Sequence, residues 1–208
     1  TIRIPSGEYK IPMLHMEADW SSASYFYSLI CANPKSKLIL KGLNLNSVQG
    51  DSIISEWFEP LGVSSSQKEN GIEISSSGVI DFPLEMDFKN NPDLAQTFAF
   101  LAATLGKELK LTGLDNLRLK ETDRIAALRT ELEKLGMEIT FSENSLQIKG
   151  SIIKESVEIK TYNDHRMAMS ASVLSSSIAV NEIENHQVVK KSFPNFWNEL
   201  SQLGFQLT

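Results

Sequence analysis

The sequence predicts an α/β (α+β) fold made of three repeated units in one domain, with the third unit cut short. Three observations carry this. Asp19, Asp93 and Asp164 each precede an apolar segment rich in small residues, at spacings of 74 and 71 residues. Leu61-Gly62, Leu135-Gly136 and Leu203-Gly204 each close a second amphipathic segment with a glycine suited to a left-handed position just past a helix. Between these marks each copy runs helix, strand, helix, then one or two strands, which is the signature of a structural repeat.

Taken in order, the first copy offers a helix over Ser21–Ala32, a strand over Lys37–Leu43, a second helix over Asp51–Leu61 and a strand pair at Val63–Gln67 and Gly71–Ser75. The middle copy is clearest. Asp93–Leu105 is a helix opened by Asn91-Pro92, since proline is tolerated where the first amides have no helical partner, and Glu108–Leu114 is a short strand. Ile125, Leu128, Leu132 and Leu135 then fall on one helical face, with Arg129, Glu131, Glu133 and Lys134 elsewhere. Met137–Phe141 and Ser145–Lys149, separated by Ser142-Glu143-Asn144, read as a hairpin. In the third copy only Phe205–Thr208 follows Leu203-Gly204, so the expected strand pair lacks a member that something else must supply. The serine clusters at 64–66, 75–77 and 175–177 sit at element ends, as turn chemistry expects, and no low-complexity linker divides the copies. One domain, 1–208, is expected, with a hinge segment at 1–18 and repeats near 19–78, 79–150 and 151–208.

Composition narrows the function. With 41% hydrophobic and 22% charged residues the 208-residue chain is of soluble globular type, and no run of eighteen apolar residues is available to span a bilayer. The lone Cys31 has no partner in the chain, which speaks for an intracellular, cytoplasmic protein without disulfides. A net charge of −6 argues against a nucleic-acid or anionic-membrane surface, because both need a broad basic face. The chain opens on Thr1 with no leader composition, as if excised from something longer. Three scattered histidines and one cysteine offer no metal site, and no glycine-rich phosphate loop supports a nucleotide; no cofactor is expected.

Two segments carry cations where a helix dipole disfavours them. Lys120-Glu121-Thr122-Asp123-Arg124 opens the second helix of the middle copy, with Thr122 or Asp123 as cap. It is either a solvated helix start neutralised by Glu121 and Asp123 or an anion site. Asn163-Asp164-His165-Arg166 repeats the anomaly in the third copy. A guanidinium is a planar fork matched to carboxylate or phosphate oxygens, so the pair points to a phosphorylated ligand. His165 alone reads better as a hydrogen-bonded structural histidine, and His15 and His186 have no constellation. Asp93 has a sufficient explanation as a first-turn carboxylate, Lys190-Lys191 as a solvated pair, and Tyr25, Phe26, Tyr27, Phe193, Phe196 and Trp197 as packing.

The segments KETDR at 120–124 and NDHRMAM at 163–169 resemble two signatures of the 5-enolpyruvylshikimate-3-phosphate synthase family. DWSSASY at 19–25, NSVQGD at 46–51, PDLAQT at 92–97 and KSFP at 191–194 extend the similarity over almost the whole chain. Trp20 departs from it, standing where the family more usually has a small residue. The resemblance implies two similar domains, each of three βαβαββ units, of which this chain is the second; the N-terminal domain is absent here, and the start of the full chain would complete the third unit. It implies transfer of the enolpyruvyl group of phosphoenolpyruvate to the 5-hydroxyl of shikimate 3-phosphate, with release of phosphate, in aromatic amino acid biosynthesis, and a phosphoenolpyruvate site that glyphosate occupies. Residue by residue, Asp93, Glu121 and Lys120 would be catalytic. Arg124, His165, Arg166 and Lys191 would bind phosphoenolpyruvate, and Asp93, Asn116 and Lys120 would bind shikimate 3-phosphate. The related transferase acting on UDP-N-acetylglucosamine and a non-catalytic anion-binding module of the same fold are the alternatives. The isolated domain, holding half a cleft, is expected to be inactive.

Overall fold

The computed structural model of the chain describes residues 1–8, 10 and 16–207. The first unit contains α1 (Trp20–Ala32), β1 (Lys37–Lys41), a 3₁₀ turn (Gly50–Ile53) running into a single helical turn α2 (Ile54–Trp57), and the hairpin β2 (Val63–Lys68) and β3 (Gly71–Ser76). The second is complete: β4 (Glu85–Asp87), a 3₁₀ turn (Pro92–Leu94), α3 (Ala95–Leu105), β5 (Leu109–Thr112), α4 (Arg124–Lys134), β6 (Glu138–Phe141) and β7 (Leu146–Lys149). The third has β8 (Ser156–Ile159), α5 (His165–Ala171), β9 (Val180–Ile183), a 3₁₀ helix (His186–Lys191) and α6 (Phe196–Gln202).

Each unit folds its own sheet. The second has strand order β4-β5-β7-β6, with β4 and β5 parallel and the other pairs antiparallel, which is the βαβαββ pattern in full. The first sheet, β1-β3-β2, has the same antiparallel part. Among the described residues the third, β8-β9, has only the parallel pair, in register Ser156↔Val180 to Ile159↔Ile183. The position equivalent to β4 in the first unit falls in the stretch that includes residues 9 and 11–15, outside the described residues, as does His15. Residues 205–207, where the last strand was expected, are not in a strand, and Thr208 lies outside the described residues.

The first helices of the three units form the centre. Nearly every residue of α1 and α3 is buried, so these helices are apolar on all sides, as core helices are. Small side chains let them approach closely. Ser24 Oγ lies 2.9 Å from Thr97 Oγ1, which lies 3.4 Å from Ser170 Oγ, so one hydroxyl residue from the first helix of each unit meets the others in the core. The second helices are amphipathic and pack outside; α4 buries Ile125, Ala127, Leu128, Glu131 and Leu132. Trp57, Phe58 and Phe88 surround Phe98 with ring centroids 4.9–5.7 Å away, joining the first and second units.

The expected stops hold. Gly62, Gly136 and Gly204 take φ of +79°, +94° and +97°, and a Cβ at Gly62 would lie 2.2 Å from the Val79 carbonyl oxygen. Two helices are shorter than their sequence pattern. The segment expected as a helix over Asp51–Leu61 is a 3₁₀ turn followed by one α-turn ending at Trp57, and Pro60, which lacks an amide, cannot extend it. The helix expected from Asp93 begins as a 3₁₀ turn at Pro92, and its α-helical part starts at Ala95. Trp20 is fully buried, with Nε1 donating to Glu17 Oε1 at 2.8 Å.

Candidate active site

Four turns from two units converge at one end of the central helices. The turn before α3 brings Asp93, the bend Lys120–Asp123 brings Lys120 and Glu121, and α4 opens with Arg124. The start of α5 brings Asp164, His165 and Arg166, and the end of the 3₁₀ helix before α6 brings Lys191. Local capping fixes these starts: Asp123 accepts from the Ala126 amide, and Asp164 accepts from the Arg166 amide. Asp93 does not cap its helix. It does stand in the first turn but makes no capping bond there; its carboxylate is held by Arg124 and Lys120 of its own unit and by Arg166 of the third.

Arg124 is the hub. Only 1% of its side chain is exposed; Nε donates to Asp164 Oδ2 at 2.7 Å, Nη1 to Asp93 Oδ1 at 2.9 Å and Nη2 to Glu121 Oε2 at 2.9 Å. The other Asp93 oxygen accepts from Arg166 Nη2 at 2.9 Å, and Lys120 Nζ lies 3.6 Å from Oδ1. The second Glu121 oxygen accepts from Lys191 Nζ. Arg166 Nη1 donates to Tyr25 OH at 3.2 Å. Four cations thus meet three carboxylates, and the interleaving is what lets like charges gather in an acidic chain. With Arg124 buried, the cations open to an incoming anion are Lys191, Lys120 and Arg166, whose side chains are 58%, 33% and 15% exposed.

The charges tune one another. Burial works to raise the Glu121 pKa, but the hydrogen bond from Lys191 and the nearby charge of Arg124 outweigh it and hold the group at about 2. Burial likewise opposes ionisation of Asp93, and Arg166, Arg124 and Lys120 together keep its pKa below the ordinary value. Burial and then Arg166 push His165 down, so the imidazole is held neutral. Its Nδ1 is buried without a hydrogen-bond partner and lies 4.0 Å from Asp164 Oδ1. His165 is thus not the fully hydrogen-bonded structural histidine its sequence context favoured. The Tyr25 hydroxyl is deeply buried and its pKa is pushed up to about 12, so it meets Arg166 as a neutral phenol.

Of the residues singled out in the sequence, Asp93, Lys120, Glu121, Arg124, His165, Arg166 and Lys191 stand together. Asn116 is exposed on the 3₁₀ turn Asp115–Leu119, and among the described residues no side-chain hydrogen bond joins it to the others. Lys191 is paired with Glu121 instead of being merely solvated. In the sequence Asp164 stands out only as a repeat marker within its motif, and Tyr25 only as a packing aromatic. The signal for Asp164 was available, because it occupies the same repeat position as Asp93 and stands two residues before an arginine. Nothing local flagged Tyr25. A groove of about 730 Å³ between α1, β1 and α6, lined by Phe26, Leu38, Leu40, Phe193 and Leu203, includes none of the cluster. Among the described residues no group of His, Cys, Asp and Glu is placed to hold a metal ion, and no helix is long and apolar enough to cross a membrane.

A pseudo-threefold α/β domain carrying one convergent, carboxylate-laced cationic cluster is a domain of the enolpyruvyl transferase fold. Solved structures share that fold: an EPSP synthase from Acinetobacter baumannii superposes with a TM-score of 0.70 at 24% identity over 89% of this chain and 46% of its own. The enolpyruvyl transferase NikO from Streptomyces tendae superposes with a TM-score of 0.61 at 14% identity over 91% and 43%. The family model for EPSP synthase (3-phosphoshikimate 1-carboxyvinyltransferase) matches residues 2–200, and the chain belongs to this family. A 3-phosphoshikimate 1-carboxyvinyltransferase of Bacteroides fragilis strain YCH46 is 42% identical over 193 residues, 91% of this chain and 47% of the relative. One from Methanobrevibacter smithii is 36% identical over 205 residues, 99% of this chain and 46% of its own length. The chain spans about half the length of the curated relatives it matches.

Proposed function

We propose that this chain is the C-terminal half of a cytoplasmic 3-phosphoshikimate 1-carboxyvinyltransferase, acting with an N-terminal half of similar size on phosphoenolpyruvate and shikimate 3-phosphate. The observation that supports it most is the sharing of Asp93 by Arg124 and Arg166, with Glu121 shared by Arg124 and Lys191. The cluster is one displacement away from receiving a multiply charged anion. Phosphoenolpyruvate would place its carboxylate and phosphate among Arg124, Arg166 and Lys191, with His165 beside them, while Asp93, Asn116 and Lys120 face shikimate 3-phosphate.

Chemistry follows from the exchange of partners. In the free domain both carboxylates are held ionised, so neither is a proton donor. A bound anion draws Lys191 and the guanidinium donors away from Glu121 and adds negative charge beside it, and both effects raise its pKa. An acid and a base are then available from Glu121 and Asp93. One protonates the methylene carbon as the 5-hydroxyl, giving its proton to the other, attacks the adjacent carbon; loss of a proton from the methyl group so formed then expels phosphate from the attacked carbon and restores the double bond. The cations stabilise the phosphate as it leaves.

Phosphate release from phosphoenolpyruvate and shikimate 3-phosphate tests this, measured with this chain alone and with the separately produced N-terminal half added. The chain alone is expected to be silent, because half a cleft stays wet and its charges screened. The two halves together should turn over at roughly 1 per second or faster. Turnover by the chain alone would refute the need for a second half, and silence of the combined halves would refute the substrates.

A further inference from the structure

Among the described residues, positive φ occurs at four non-glycine positions, and three of them meet in one place. Tyr162 and Asn163 take φ of +53° and +58° in succession, immediately before Asp164, and Asn185 takes +48°. Asn185 Nδ2 donates to Asn163 Oδ1 at 3.0 Å. An aromatic residue in the left-handed region is strained, and such strain persists only where surrounding contacts over-determine it. Those contacts come from Glu131, a carboxylate with no exposed surface on α4. Its Oε1 accepts from Tyr162 OH at 2.6 Å, and its Oε2 accepts from the Lys160 amide at 3.0 Å and from Lys134 Nζ at 2.5 Å.

Seven residues earlier on the same helical face, Arg124 Nε holds Asp164 Oδ2 at 2.7 Å. Helix α4 therefore grips the turn at both ends, before the strained pair through Glu131 and after it through Arg124. A buried carboxylate is a poor choice for stability alone, since an apolar residue of similar volume would do as well. Two of the three hydrogen bonds Glu131 accepts come from one short segment, from Lys160 and Tyr162, and the turn there leads into Asp164, His165 and Arg166.

We propose that Glu131 and Tyr162 are positioning residues that lock the Tyr162-Asn163 turn in its left-handed form and so set Asp164, His165 and Arg166 for anion binding, an inference that rests on reading the cluster as the phosphoenolpyruvate site. Neither touches the ligand. Without the hydroxyl anchor the turn relaxes, Asp164 shifts from Arg124, and Arg166 leaves its productive place.

The variant Tyr162→Phe removes one hydroxyl, and Glu131→Gln perturbs the acceptor from the other side. Two readouts apply to each, with thermal unfolding to establish that the variant is folded. In this chain alone, an NMR titration of His165 should show its depressed pKa moving up toward the ordinary 6.5 as the turn releases the ring. In the chain combined with its N-terminal half, KM for phosphoenolpyruvate should rise about tenfold while KM for shikimate 3-phosphate stays within about twofold. An unchanged His165 titration in folded Tyr162→Phe overturns the clamp. So does an equal rise of both KM values, or a fall of kcat alone, as a merely structural role would give. If the unmutated halves do not turn over, the substrate assignment fails by itself, and the His165 titration still decides whether the clamp exists. If Glu131→Gln does not fold, Tyr162→Phe decides alone.

Discussion

Arg124 and Asp164, forty residues apart in the chain, form a fully buried pair in which Nε donates to Oδ2 at 2.7 Å and Nη2 reaches Oδ1 at 3.5 Å. The pair ties the start of α4 to the start of α5, and Asp164 uses its other bond to cap α5. Removing one member strands the other in a dry site. Arg124→Ala should therefore destabilise the chain by about 3–5 kcal/mol, read as a lowered urea midpoint with unchanged slope. A loss below about 1 kcal/mol, the range of exposed pairs, would mean that the pair is solvated in solution.

Arg166 is partly open and keeps one guanidinium nitrogen on Asp93 and the other on Tyr25. Arg166→Ala, tested with both halves present, should weaken phosphoenolpyruvate by about 1.5–3 kcal/mol, the range for a charged hydrogen bond. Shikimate 3-phosphate should be affected much less. Equal losses for the two substrates would contradict the assignment.

Acid should unfold the chain partly through Glu121. Its ordinary pKa is 4.5 and its folded value is about 2, so the shift is downward. A depressed carboxylate contributes stability that is complete above 4.5, falls as the unfolded chain takes up the proton first, and is gone below about 2. Asp93 adds to the same slope from its own lowered value. His165, also depressed, contributes with the same sign as pH falls below 6.5. Urea midpoints measured from pH 6 to pH 2 for Glu121→Gln should fall less steeply than those of the unmutated chain. Parallel curves would show that the Lys191 and Arg124 contacts do not hold the group in solution.

Phe98 sits at the centre of the aromatic cluster that joins the first two units and is completely buried. Phe98→Ala should cost about 3–5 kcal/mol, because a cavity adds to the lost transfer energy. Its effect on anion binding should be small, since the site is built from turns at the helix ends. Calorimetry and a phosphate titration on the same variant separate the two.

The repeat was legible because it rests on local chemistry. Asp19 and Asp164 cap helices, the glycines after Leu61, Leu135 and Leu203 stop them, and period-two and period-3.6 patterns separate β7 from α4. Helix lengths were less legible: the helix expected from Asp51 ends at Trp57, ahead of Pro60, and Pro92 turns the first residues of the next into a 3₁₀ turn. Lys120, Arg124 and Arg166 were visible as charges misplaced against a helix dipole, with Glu121 as a partner for Arg124. The partners Asp93 and Asp164 and the place of Lys191 were not. Asp93 looked like an ordinary first-turn residue, and its link to Arg166 spans 73 positions.

By itself, then, the sequence determined the three-unit α/β organisation, the family, and Lys120, Glu121, Arg124, His165 and Arg166 of the cluster. These follow from interactions within a turn or two of chain and from motifs whose residues are adjacent. The tertiary structure alone decided that Arg124 is a buried hub for three carboxylates, that Asp164 and Tyr25 belong to the site, and that Glu131 reaches Tyr162 beneath a strained turn. Those pairings depend on where the central helices place their ends in space, and a linear pattern carries no record of which end meets which.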